Sequence, residues 1–323
     1  VVNLNMANTF TGTATISNQT GMTNLVQTAY DRYVELALRS QPLIRDIADK
    51  RPVQQAMPGS SVVFQIYNDL AQATGTLTEN VDPDAVAMSN TNTVTVTLNE
   101  YGNAALLTRK LGLFSLSDVD PAAADIIAYN MADSLDAVAM TELRGGTNVR
   151  YSRGASTTPA ATNQVQAEDI AKLDDIRVVV AKLRANLAVP RQGSLYAAYI
   201  HPEVSFDIRK ESTGGGFQDL HKYDATENFW PGFIGTIEGA YFIETPRMYN
   251  ATDGDTSQRV YRTIVVGKQA LAEAVAEEPH TIVGPVTDKL MRHRPLGWYG
   301  VLGWKRYREA ALWRIESASS IAV

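Results

Sequence analysis

Apolar residues along this chain follow two rhythms, one of about 3.6 residues and one of two, and these divide it into helical and extended stretches. The longest helical stretch runs from Asp118 to Gly146. Ile127, Met131, Leu135 and Val138 recur along one face, while Asn130, Asp133, Asp136 and Thr141 fall largely elsewhere. Asp118, Asp120 and Pro121 suit its first turn, Arg144 suits its negative end, and Gly145 and Gly146 can take the left-handed conformation that closes a helix. At ~1.5 Å per residue the stretch spans about 36 Å, which predicts a strut helix over 121–143. A second helix is predicted from Ala167 to Leu187, opened by Glu168 and Asp169 and ended before Pro190 and Gly193. Shorter helices are predicted over Ala29 to Leu38, Glu203 to Lys210 and Lys268 to Ala276.

The period of two marks Ser61 to Tyr67 and Thr93 to Leu98, where Val94, Val96 and Leu98 alternate with threonines. Between them, Asn68 to Asn92 is polar and acidic, far longer than the ~2–5 residues of a normal hairpin loop. Two readings stand for it, a lid over a site or a two-stranded arm resting on another subunit. Further strands are predicted at Leu195 to Ile200, in Gly235 to Pro246 after a turn, at Thr263 to Val266 and within Gly300 to Ser317. Val149 to Val165 reads as a polar linker, Ser212 to Gly216 as a flexible segment, and Asn250 to Ser257 as a surface turn. The first 28 residues hold almost no charge and neither period, so they read as an arm that orders only by lying on something else. The fold class is α+β, with the strands segregated into hairpins.

Composition narrows the function. The 323 residues are 45% hydrophobic and 20% charged, as in an ordinary globular protein. There is no cysteine, which removes disulfides, thiolate metal sites and cysteine nucleophiles together. No apolar run is long enough to cross a membrane, and Val1 to Thr28 lacks the pattern of a secretory signal, so a cytoplasmic protein is expected. A net charge of -6 argues against a general nucleic-acid-binding surface. The charge is unevenly spread: Lys289, Arg292, Arg294, Lys305, Arg306, Arg308 and Arg314 face a single acid, Glu309, over 289–314. These cations either pair within the chain or meet acids on a neighbouring copy or a polyanion.

Catalytic signatures are wanting. His201, His221, His280 and His293 fit no metal spacing, and no nucleophile elbow, phosphate-binding loop or dinucleotide fingerprint occurs. Gly297, Gly300 and Gly303 lie among Trp298, Tyr299 and Trp304, as in strand packing. Asp253-Gly254-Asp255 lacks the remaining ligands of a calcium loop. Glu277 and Glu278 beside His280 would point to opposite faces of a strand. No catalytic residue, cofactor or metal is expected, although an enzyme with a long lid remains an alternative of a different class.

The order of parts carries a resemblance. Leu77-Thr78-Glu79-Asn80-Val81 with Asp82-Pro83, and Val94 to Leu98 leading to Tyr101-Gly102, form its first blocks. Ala198-Tyr199-Ile200-His201-Pro202 precedes Phe206-Asp207-Ile208-Arg209, and Ile234 to Gly239 precedes Phe242-Ile243-Glu244-Thr245-Pro246. Together these blocks resemble the major capsid protein of tailed bacteriophages, whose shell-forming fold encapsulins and the herpesvirus capsid floor share. The resemblance covers about Leu25 to Ser317.

That resemblance implies an N-terminal arm (1–28), a peripheral domain (29–52, 111–164 and 279–323), an extended loop (53–110) and an axial domain (165–278). It implies pentamers and hexamers in an icosahedral virion head, assembled in the host cytoplasm around double-stranded DNA bound without sequence specificity. Scaffolding and decoration proteins are implied partners. Glu79, Asp82 and Asp84 on the loop and Arg292, Arg294, Lys305, Arg306 and Arg308 near the C-terminus become candidate inter-subunit contacts. An encapsulin-like compartment is the nearest alternative. Two departures stand out: Asn68 to Asn92 has no lysine for the crosslink some members form, and no charged helical segment precedes the arm. A separate scaffolding protein or prior processing of the chain is the expected explanation of the second.

Overall fold

A computed structural model describes residues 42–52 and 60–321, apart from 68–69, 78, 81, 83, 89–91, 115–118, 155–157, 211–232 and 286–287. The arm, the helix expected over Ala29 to Leu38, the segment Ser212 to Gly216, and Asp118 and His221 lie outside the described residues. In chain order the elements are β1 (Ala48–Pro52), β2 (Ser61–Ile66), β3 (Asn92–Thr97), β4 (Asn99–Thr108), α1 (Arg109–Phe114), α2 (Val119–Leu143) and β5 (Val149–Tyr151). They continue with α3 (Leu173–Ala185), β6 (Tyr196–Ile200), α4 (Pro202–Lys210), β7 (Phe233–Ile237), β8 (Ala240–Glu244) and β9 (Asn250–Ala251). The last are β10 (Val260–Val266), β11 (Leu271–Val283), β12 (His293–Arg306) and β13 (Leu312–Ser317).

Three sheets result. One has the order β1-β11-β12-β4, one runs β5-β13-β10-β6-β8-β7 with β9 beside β10, and β2 and β3 form a separate hairpin. The mixed α+β class expected from the sequence is observed. Central strands of the larger sheet are apolar on both faces because the sheet is covered on both sides. Ala197, Tyr199, Tyr241, Ile243, Ile264 and Val266 face a core shared with α2 and the four-stranded sheet. Tyr196, Ala198, Ile200, Phe242, Tyr261 and Val265 face a second core under α3 and α4.

The strut is helix α2, whose 25 residues span about 37 Å. Ile127 and Leu135 are buried as expected, and Ala139, Met140 and Leu143 join them. Asp136 departs from the expected division of faces: it is fully buried, because the chain entering at Ile44 and the Arg247 side chain both close over it. The helix ends without a left-handed glycine. The amide N–H groups of Gly145 and Gly146 instead bond to the carbonyls of Glu142 and Leu143 in a tightened last turn. Space explains these two glycines, since a Cβ on Gly145 would lie 2.7 Å from Arg306 Nη1 and one on Gly146 would lie 3.0 Å from Leu312 Cδ2.

Helix α3 starts at Leu173, later than expected, because the residues before it are held in other bonds. Ile170 bridges Ala318, and the buried Asp169 carboxylate accepts the amide N–H groups of Gly154 and Gln166. It ends on Leu187 at φ 54°, with Ala188 N–H bonded to Leu183 O and Leu187 N–H to Arg184 O, the two bonds of a Schellman turn. The helix expected over Lys268 to Ala276 is strand β11. Leu271 to Val275, with the ion-paired Glu273 among them, are all buried there between β1, paired in parallel, and β12, paired antiparallel, so the run shows no alternation of period two. Val149 to Tyr151, expected as linker, adds an edge strand beside β13. β7 and β8 form a hairpin turning on Glu238 and Gly239, both at positive φ.

Candidate assembly surfaces

Two surfaces present apolar side chains to solvent beside charge, and both project from the four-stranded sheet. The first is the hairpin. Val62 lies opposite Val96 and Phe64 opposite Val94, so one face is apolar, as the alternation in the sequence requires. Only the base of that face is covered: Val96 is fully buried, and the Phe64 ring stands edge-on to Tyr307 at 6.0 Å. Gly303 of β12 permits this contact, because a Cβ there would collide with the Thr97 carbonyl. Beyond the base, Leu70, Leu77, Val86 and Met88 are exposed, Leu77 at 79%. Glu79, Asp82 and Asp84 are exposed among them. The fold thus sets the expected acids on a solvent-facing segment, beside exposed apolar side chains.

The second surface is the outer end of the same sheet. β4 runs into α1, and the turn joining β11 to β12 lies alongside, with Arg109 N–H bonded to Arg292 O at 2.8 Å. Leu111, Leu113, Phe114, Leu290 and Met291 are exposed there, Phe114 at 79%. Arg109, Lys110, Lys289, Arg292 and Arg294 are exposed around them. Asp288 bonds Arg292 at 2.6 Å, which holds its carboxyl below the usual aspartate range. Sequence reading picked out Arg292 and Arg294 but missed Arg109 and Lys110, which only the pairing of β4 with β12 brings beside them.

The other basic candidates lie near the opposite end of β12 and differ among themselves. Arg306 is half-buried and serves its own chain: Nη1 donates to Glu142 O at 2.7 Å, and Nε donates to Glu309 Oε2 at 3.1 Å. Lys305 Nζ is 3.9 Å from Glu142 Oε2. Arg308 is exposed, its backbone N–H bonded to Gln269 O. Arg314 is also turned inward, with Nε 2.9 Å from the buried carboxylate of Glu316.

Buried charge in this molecule ties elements together. Asp136 of α2 accepts the amide N–H groups of Ile44 and Arg45 at 2.7 and 2.8 Å and the Arg247 Nε–H at 2.8 Å. Arg247 also pairs with Asp133. Arg45 in turn bonds the fully buried Glu273 of β11 at 2.9 Å. These networks join the root of the N-terminal segment to the strut, the large sheet and the small one.

The histidines play local parts. His201 Nδ1 accepts the Glu203 amide N–H at 3.3 Å at the start of α4, and its ring lies 4.9 Å from that of Tyr261. Burial pushes its pKa down, so the imidazole favours the neutral form that this bond requires. His280 is exposed, and His293 lies 4.0 Å from Asp288. Asp253 pairs with Arg262, and Asp255 accepts a bond from Gln166, as befits a polar turn. A groove of about 360 Å³ on the small sheet is lined by Gly102, Asn103, Ala104, Ile282, Gly284, Pro295, Gly297 and Trp298, none of them ionisable. It holds no acid, base or nucleophile. Among the described residues no helix is long and apolar enough to cross a membrane.

Comparison with known proteins places this arrangement. The fold is similar to the capsid structure of cyanophage Pam1, with a TM-score of 0.71 at 13% identity, covering 95% of this chain and 100% of that one. It is similar to the acid-stable capsid of Helicobacter pylori bacteriophage KHP30, with a TM-score of 0.70 at 13% identity over 94% and 99% of the two chains. The capsid of cyanophage P-SCSP1u gives a TM-score of 0.67 at 13% identity over 95% and 97%. No curated protein sequence matches the chain. A sequence model described as phage capsid protein matches residues 13–321, nearly the whole length, and the chain therefore belongs to that family, as a structural shell protein of the phage head.

Proposed function

We propose that this chain is the major capsid protein of a tailed phage, closing as pentamers and hexamers into an icosahedral head around double-stranded DNA. Assembly takes place in the host cytoplasm, with scaffolding and decoration proteins as partners. The observation that carries this reading is the hairpin, held to the body at its base while Leu70, Leu77, Val86 and Met88 stay exposed beyond it. Such a segment gains its apolar burial only on another molecule. Repeated head-to-tail contacts that close by rotation give rings and shells, and many weak contacts per subunit add through multivalency.

In this reading α2 and the four-stranded sheet belong to the peripheral domain, and α3, α4 and the large sheet to the axial domain that meets its symmetry mates. Glu79, Asp82, Asp84, Arg292, Arg294 and Arg308 are the inter-subunit contacts it favours; Lys305 and Arg306 lie closest to carboxylates of their own chain. Electron microscopy of the protein expressed alone, and then with its neighbouring genes, is the test. Closed particles containing DNA are expected in company. Particles filled with an enzyme would mean a compartment, and a strict monomer under both conditions would overturn the shell.

A further inference from the structure

We infer that residues 44–49 form a strap that fixes the angle between the two larger sheets, and through that angle the radius at which the shell closes. The inference rests on the shell reading and adds to it what sets particle size. Among the described residues the chain passes between the four-stranded sheet, with its helix α2, and the large sheet at three places: from α2 to β5, from β10 to β11 and from β12 to β13. These crossings lie side by side. Arg314 N–H bonds Asn148 O at 3.0 Å, Gly267 N–H bonds Ala311 O at 2.9 Å, and Arg308 N–H bonds Gln269 O at 3.0 Å. Short connections gathered at one place make a hinge between packed bodies.

Residues 44–49 grip both sides of that hinge. Toward the small sheet, Ala48 and Asp49 pair with Leu271 and Ala272 of β11, and Arg45 Nε donates to the buried Glu273 at 2.9 Å. At the crossing from β10 to β11, Asp49 Oδ2 accepts the N–H of Gln269, whose φ is 62°, at 2.5 Å. Toward the large sheet, Arg191 in the turn before β6 donates from Nη1 to Ile47 O at 2.9 Å and from Nη2 to Asp46 O. Asp136 of α2 joins the Ile44 and Arg45 amides to Arg247, which follows β8. Ile44 and Ile47 fill the core between. Turning one sheet against the other would break charge-assisted bonds at both ends of the strap. In a closed shell every copy repeats the same internal angle, so a subunit free to flex would close at more than one radius.

Arg191→Met keeps the aliphatic stem and removes both donors, so the subunit should stay folded with little change in melting temperature. Nitroxides on Lys182→Cys of α3 and Thr281→Cys of β11, both exposed, report the angle, and no native cysteine interferes. In the isolated full-length subunit, Arg191→Met should widen the distance distribution at least about twofold, and Arg191→Lys, which keeps one donor group, should lie between. Asp49→Ala should widen it too, and the two changes together little more than either, because they cut one strap. By electron microscopy, Arg191→Met shells should spread over several diameters where the wild-type chain gives one. An unchanged distribution, or widths that add in the double variant, would overturn the strap and leave the shell reading intact. A widened distribution with shells of wild-type diameter would refute its role in curvature. If the wild-type chain forms no particles in company with its neighbouring genes, the shell reading fails, while the distances in the subunit still decide the strap. Should Arg191→Met not fold, Arg191→Lys and Asp49→Ala carry the same test.

Discussion

Asp136, in the middle of the longest helix, accepts a 2.7 Å hydrogen bond from the backbone N–H of Ile44, 92 residues earlier in the chain. The same carboxylate holds Arg247, so one side chain fastens the root of the N-terminal segment to the strut and the strut to the large sheet. Removing it leaves two amide donors and a largely buried guanidinium short of an acceptor. Asp136→Ala should therefore cost about 3–5 kcal/mol of subunit stability, measured by urea unfolding. A loss of less than about 1 kcal/mol would mean that water replaces the carboxylate at little cost.

The same group yields a pH prediction whose sign is unusual for an ion-paired acid. Burial pushes the Asp136 carboxyl above its ordinary 3.8, outweighing the Arg45 amide and Arg247, which pull it down. The folded state then binds the proton more tightly than the unfolded one. Its contribution to stability is greatest below the unfolded value and falls as pH rises through the folded value. Asp136→Asn removes that titration, so its cost should be larger near pH 4 than near pH 7. The opposite order in paired urea titrations would show that pairing with Arg247 outweighs burial.

Gly303 is the point where the hairpin meets the body. Gly303→Val would drive a side chain into the Thr97 carbonyl and the Val96 methyl groups. Overpacking of this kind costs about 1–3 kcal/mol. Hydrogen exchange should quicken over Ser61–Ile66 and Asn92–Thr97, with α3 and α4 unchanged. Uniform acceleration across the chain would place the damage in the common core.

The hairpin itself was legible in the sequence because its two faces differ: Val96 is buried and Val94 half-buried, whereas Thr93, Thr95 and Thr97 are exposed. β11 was not, because Leu271 to Val275 are buried on both faces and show no period of two. The start of α3 was also hidden, since Asp169 and Ile170 are held by Gly154 and Ala318, far from them in sequence. Among the candidate assembly residues, the exposure of the loop acids Glu79, Asp82 and Asp84 could be read directly from the polar stretch that holds them. The basic end could not, because Arg109 and Arg292 meet only through strand pairing, and Arg306 looks like a surface cation until Glu142 and Glu309 are placed around it.

Deleting 68–92 and closing the hairpin with a short turn should leave a folded, soluble subunit. Its segment makes its largest apolar groups available to solvent, so little core is lost. Circular dichroism and the melting temperature should stay close to the full chain's, while electron microscopy should find no closed shells. Normal shells from the deletion would end the segment's inter-subunit role.

Arg306 and Arg308 stand two residues apart and should answer differently to the same change. Arg306 donates to the Glu142 carbonyl at 2.7 Å and to Glu309 at 3.1 Å, and its guanidinium sits against Gly145 where α2 closes. Arg306→Glu would place a third carboxylate beside Glu142 and Glu309 and leave the Glu142 carbonyl only the 3.3 Å bond from the Gly145 N–H. A loss of about 2–4 kcal/mol in the isolated subunit is expected, since repulsion and the loss of two charge-assisted bonds act together. Arg308 is exposed, and its anchoring bond is made by backbone, so Arg308→Glu should change stability by less than about 0.5 kcal/mol. Any defect that Arg308→Glu causes must then arise between subunits, visible as fewer shells at an unchanged melting temperature. Equal thermal losses from the two variants would mean that Arg308 also serves its own chain, and would remove it from the assembly surface.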